Sequence, residues 1–123
     1  MAKFRYYNLN PNGEKVSDCV TRAISLTSEI PYAEVRRKLR YTARLLDCTK
    51  LCPTCYGFFI QEVIGGIPKN CEEMTVGDFA DLHPQGTYLI RIKGHLTVIK
   101  DSVCYDIWDC LDRECDLAWQ ISH

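Results

Sequence analysis

Three segments near the C-terminus, Thr87 to Ile92, His95 to Lys100 and Val103 to Trp108, constrain this chain more than anything else in it. Each is rich in β-branched and aromatic residues, the composition of a half-buried pleated surface. Only Lys93-Gly94 and Asp101-Ser102 separate them. A two-residue connector joins strands only as an antiparallel hairpin, because a parallel return needs a long crossover. The second half therefore reads as an antiparallel meander, to which Leu117-Ala118-Trp119-Gln120-Ile121 adds a further strand.

The first half has a different period. Phe4 to Tyr7 reads as extended, and Asn8-Leu9-Asn10-Pro11-Asn12-Gly13 is a cluster of turn formers. A helix then starts at Cys19, capped by Ser17 or Asp18, with Val20, Ala23, Ile24 and Thr27 on one inward face. Pro31 opens a second helix whose stripe is Tyr32, Val35, Leu39, Ala43 and Leu46, with Arg36, Arg40 and Arg44 on another face. Tyr56 to Ile64 reads as a third helix stopping at Gly65-Gly66, and Thr75 heads a short fourth one closed by Pro84. Helices first and an antiparallel sheet afterwards predict an α+β fold, with the helices packed on one face of a C-terminal antiparallel β-sheet.

A chain of 123 residues, 46% hydrophobic and 25% charged, has room for one domain with one core, here residues 1–123. No stretch approaches the roughly 18 apolar residues of a membrane span, and Met1 to Tyr7 lacks a signal peptide's apolar run. The expectation is a cytoplasmic protein with no membrane partner. Its eight cysteines then read as thiols rather than as a disulfide framework. A net charge of -1 provides no field to recruit nucleic acid. Arg36, Arg40 and Arg44 form a stripe that usually faces solvent, and no aromatic residues interleave with it for stacking on bases.

Chemistry concentrates on Cys19. The first turn of a helix offers unpaired N–H groups and a positive dipole end, which favour a thiolate. His95 opens a strand immediately after Gly94, a residue that lets another segment approach, and so qualifies as the base. Asp106, in the neighbouring hairpin arm, is placed to orient the imidazole across the ladder, with Asp109 as the alternative. Asn10 or Asn12 could present an amide to a developing oxyanion, although Asn-Pro also starts turns unaided. Each residue has a plainer reading: Cys19 as core filler, His95 as a hydrogen-bonded strand residue, Asp106 as a turn cap or arginine partner.

Taken together, Asn10-Pro11, Asp18-Cys19-Val20-x-Arg22-Ala23-Ile24, Asp78-Phe79, His83-Pro84-x-Gly86-Thr87-Tyr88, His95 and Tyr105-Asp106-x-Trp108-Asp109 resemble the small papain-like cysteine peptidase-type proteins of bacterial phages and mobile elements. The resemblance runs from about residue 7 to residue 119. It implies a papain-like α+β fold and a Cys-His-Asp arrangement carried by Cys19, His95 and Asp106. It also implies a hydrolase of the peptidase, amidase or isopeptidase type, acting on a peptide or protein substrate without a cofactor. The chain departs from a papain template where a glutamine would serve the oxyanion. The alternative is an inert papain-like interaction protein that binds and inhibits a host factor.

Two other cysteine patterns compete. Cys48-x3-Cys52-x2-Cys55 has the spacing that holds a four-iron cluster in radical enzymes, but Thr54 stands where an aromatic is usual, and 123 residues ending in hairpins cannot build the parallel barrel such enzymes need. Cys52-Pro53-Thr54-Cys55 is half of a zinc site that Cys48 or Cys71 could complete, though no second Cys-x2-Cys pair follows. Cys104, Cys110 and Cys115 read as core residues.

Overall fold

In a computed structural model of the chain, which describes residues 2–13, 18–48 and 52–121, the elements are β1 (Lys3–Tyr6), α1 (Cys19–Ser28), α2 (Tyr32–Leu45), α3 (Pro53–Phe58), a π-helical turn (Phe59–Val63), β2 (Ile67–Lys69), α4 (Val76–Leu82), β3 (Thr87–Ile92), β4 (His95–Lys100), β5 (Val103–Asp106) and β6 (Leu117–Ile121). The class is α+β, as the switch of period requires. The meander is present: β3 pairs antiparallel with β4, β4 with β5, and β3 with β6. The Asp101-Ser102 connector has positive φ at both residues, the backbone of a turn whose twist matches the strands it joins.

The sheet is mixed, however, and it is not purely C-terminal. Its order is β1-β5-β4-β3-β6-β2, and β1 lies parallel to β5, with Lys3 opposite Val103 and Tyr6 opposite Asp106. The short-connector argument binds only strands joined by hairpins. Between β1 and β5 lies most of the chain, so nothing forces them antiparallel. The opposite edge, β2, is three exposed residues containing Pro68, which is tolerated on an edge because its missing N–H faces away from the ladder.

Nor do the helices cover one face only. Leu89, Leu96, Val98 and Trp119 alternate onto the face that packs against Val20, Ala23 and Ile24 of α1, Val35 and Leu39 of α2, and Tyr56 of α3. Tyr88, Ile90, Ile92 and Ile99 point to the other face, against Val76, Phe79 and Ala80 of α4 and Cys110 of the following loop. Near-continuous apolar runs in β3 and β4 are what a sheet covered on both sides requires.

Local details follow from chemistry. Thr75 accepts from the Asp78 N–H while Asp78 Oδ2 accepts from the Thr75 N–H, a reciprocal cap for α4. Asp18 precedes α1 but makes no side-chain cap; its carboxylate is used elsewhere, and Ser17 lies outside the described residues. The buried stripe of α2 is Val35, Leu39 and Thr42, and Leu46, expected to continue it, lies just past the end of the helix and is exposed. The third helix begins earlier than expected, with Pro53 in its first turn, and its final residues widen into the π-helical turn. At Gly86 a φ of +105 and the Tyr88 hydroxyl, 3.1 Å from where a Cβ would sit, leave room for glycine alone.

Candidate thiol–imidazole site

Cys19 is the first residue of α1, where backbone N–H groups have no intrahelical acceptor. Val20, Ala23 and Ile24 pin that helix to the sheet, so the position of Cys19 is set by core packing rather than by a loop. Across from it, His95 begins β4. The turn Lys93-Gly94 is made possible by Gly94 at φ +72, and a Cβ there would meet nothing within 4 Å. Gly94 thus serves the turn, and not the close approach of another segment that its position suggested.

Because Ile92 and His95 close a two-residue hairpin, the next rung, Arg91 with Leu96, directs the Leu96 N–H away from β3. β5 ends before it can accept that N–H, and the hydrogen bond goes to the Cys19 sulfur. His95 contributes a second hydrogen bond to the same sulfur. Its Nε2 lies 2.6 Å from Asp106 Oδ2, which leaves Nδ1 as the ring nitrogen on the thiol side.

Asp106 does not stand directly opposite His95 in mid-strand. Val98 pairs with Tyr105, and continuing that register brings Asp106 opposite Thr97, two residues along on the same face. β5 stops at Asp106 instead of running to Trp108. The chain turns there, so the Ile107 N–H donates to Asp106 Oδ1 at 2.7 Å and the Trp108 ring comes to 5.1 Å from that of His95. Asp109, the alternative third member, is exposed and accepts from the Leu111 N–H.

The charges follow this geometry. Burial opposes the Cys19 thiolate, but the His95 and Leu96 hydrogen bonds and the Arg22 charge outweigh it and hold the thiol below its ordinary range. Burial likewise opposes the imidazolium, yet Asp106 and Cys19 lift His95 to about 9. Asp106 is held below the usual carboxylate range against burial, by His95, Thr97 and the Ile107 N–H. These shifts favour the thiolate–imidazolium pair over the neutral pair, with the Asp106 carboxylate in line behind it.

Behind this line stands a second one that sequence reasoning missed. Asp18, Arg22 and Asp106 are 7%, 7% and 3% exposed. Arg22 Nε donates to Asp18 Oδ1 at 2.6 Å, and Nη1 reaches Asp106 Oδ1 at 3.5 Å. Asp18 Oδ2 also accepts from the Tyr32 hydroxyl at 2.7 Å and from Asn10 Nδ2 at 3.0 Å. Asn10 therefore supports Asp18 and is not among the residues lining the cleft at Cys19, so its expected service to an oxyanion has no support in the geometry. Asn12 is exposed, and its N–H donates to Asn10 Oδ1.

The remaining thiols fall into groups. Cys55 is pushed up to about 12 by burial and by Cys48 and Cys52 beside it. Cys71 belongs to the α4 core, against Cys115, and is not grouped there with Cys48, Cys52 or Cys55. Cys104 and Cys110 are fully buried with their sulfurs 3.8 Å apart. Among the described residues no group of three His, Cys, Asp or Glu side chains is placed to hold a metal ion.

Cys19, Arg22, His95 and Trp108 line an open cleft of about 450 Å³ whose other walls include Tyr56 and Arg91. That volume lies in the range of small-ligand sites. No family model, curated protein or solved structure matches this chain. No helix among the described residues is long and apolar enough to cross a membrane.

Proposed function

We propose that the chain is a papain-like cysteine hydrolase of the peptidase, amidase or isopeptidase type, of the kind carried by phages and mobile elements. The observation that carries this reading is the alignment of Cys19, His95 and Asp106 at the edge of an open cleft, with His95 bonded to Asp106 at 2.6 Å and to the Cys19 sulfur. The thiolate attacks a carbonyl carbon, forming a C–S bond and a tetrahedral oxyanion. As the oxyanion collapses, His95 gives its proton to the departing amine or alcohol and the scissile bond breaks. Neutral His95 then takes a proton from water, whose hydroxide displaces the Cys19 sulfur, releasing the acid and restoring the ion pair. Asp106 keeps the imidazole oriented throughout and remains ionised. Backbone N–H groups at the start of α1 are the available donors to the oxyanion.

An activated ester tests this without knowledge of the natural substrate. Mixed with p-nitrophenyl acetate, the protein should release a stoichiometric burst of nitrophenol and carry one acetyl group on Cys19 by mass spectrometry. Cys19→Ala should lose the burst, and His95→Ala should slow it by about 10² or more. Acetyl spread evenly over the eight cysteines would overturn the reading and leave the inert interaction protein in its place.

A further inference from the structure

The walls of the cleft differ in charge. Arg22 and Arg91 both line it, and no Asp or Glu is among the described residues that do. The two guanidiniums are not equivalent. Arg22 is buried and occupied by Asp18 and Asp106. Arg91 sits one rung from His95 in the β3–β4 ladder, opposite the Leu96 whose N–H serves the Cys19 sulfur. Its side chain leaves the sheet on the α1–α3 face, where it lies against the hydroxyl of the buried Tyr56, and Tyr56 in turn feels the charge of Cys19. Its carboxylate partner, Asp116, lies outside the cleft and is 54% exposed, and pairs of that kind are weak in water. A guanidinium has five N–H donors, so one carboxylate on its outer side leaves donors for another on its cleft side.

We propose that the cleft takes an acyl donor carrying a carboxylate, with Arg91 as its counter-charge, Tyr56 holding the guanidinium on the cleft side, and the Trp108 ring as the apolar wall. The inference rests on the reading of Cys19 as a nucleophile and deepens it by naming the substrate class as acidic. An anionic group entering between Tyr56 and Trp108 leaves bulk water and meets a positive wall, where one charge–charge contact is worth more than at the surface. Neutral and cationic acyl donors gain nothing from that wall.

Two small alkylating reagents of nearly equal size separate the possibilities. Iodoacetate carries the carboxylate and iodoacetamide does not; with either, the Cys19 sulfur displaces iodide. Rates at Cys19 are read by site-resolved mass spectrometry on the full chain at pH 7 and low salt. The iodoacetate-to-iodoacetamide ratio should fall about threefold in Arg91→Gln, the effect of one unit charge several ångströms away across a wet cleft. Arg91→Lys should recover part of it. Asp116→Asn, which removes the competing carboxylate, should raise the ratio above that of the wild type. An unchanged ratio in Arg91→Gln overturns the proposal, and where that variant fails to fold, an unchanged or lower ratio in Asp116→Asn overturns it. Cys19 reacting no faster than the other cysteines with either reagent overturns the nucleophile itself, and the acidic substrate class with it.

Discussion

Arg22 occupies the most demanding position among the individual residues, since a buried guanidinium is tolerated only where carboxylates and hydrogen bonds offset its desolvation. Asp18 and Asp106 do so from opposite sides, and Asn10 and Tyr32 satisfy the remaining lone pairs of Asp18. Arg22→Met leaves two carboxylates without their cation and should cost about 3–5 kcal/mol in urea unfolding. Arg22→Lys keeps the charge but loses the fork that spans both acids. It should fold, and its Cys19 alkylation profile should shift to higher pH because Asp106 and His95 are less firmly held. A profile identical to that of the wild type would make Arg22 a purely structural residue. Cys19, His95 and Asp106 were legible in the sequence, because a helix start and two hairpin connectors place them without any knowledge of the core. Arg22 was not, since four residues after an aspartate on a helix it looks like an ordinary surface pair. The contact of Asn10 with Asp18 was hidden for a related reason: a turn-forming amide carries no mark of the acid it will bind.

Elements differ in how far their sequence declared them. α4 was visible from Thr75 and Pro84, and the cap that Thr75 makes with Asp78 is now a testable quantity. Thr75→Ala removes the acceptor for the Asp78 N–H and should cost about 1 kcal/mol of stability with no change at Cys19. Thermal unfolding and the ester burst together check both halves of that statement. Phe79, fully buried on the same helix, should cost about 3–5 kcal/mol when cut to alanine. The hairpins were legible because connector length decides strand direction. β1 was seen as extended, but its parallel partner was not, because pairing across most of the chain length leaves no local trace. β2 was hidden by Pro68, and the π-helical turn by a residue pattern that an ordinary helix shares. The end of β5 was the costliest miss, since stopping at Asp106 is what frees the Leu96 N–H for Cys19 and turns Trp108 onto His95.

At the scale of the whole molecule, the sheet is a platform packed on both faces, and the site lies at one end of it, where α1 from one side meets the start of β4 and the end of β5. Every buried side-chain nitrogen and oxygen among the described residues has a hydrogen-bond partner, so the charged lines behind Cys19 are satisfied rather than strained. Protonation therefore couples to folding as well as to reactivity. His95, raised from 6.5 to about 9, stabilises the folded state fully below pH 6.5, and that contribution is lost as pH rises through 9. Asp106, depressed below 3.8, contributes above that value and loses its contribution as pH falls through its lowered one. Turnover should be bell-shaped, its alkaline limb near 9 marking the loss of the His95 proton needed by the leaving group. The measurement that tests the central claim most directly is the pH dependence of iodoacetamide reaction at Cys19, resolved from the other cysteines, in the wild type and in His95→Ala. A thiolate held by His95 predicts an inflection below 9.0 that moves up when the imidazole is removed. An inflection near 9.0 in both proteins would contradict it.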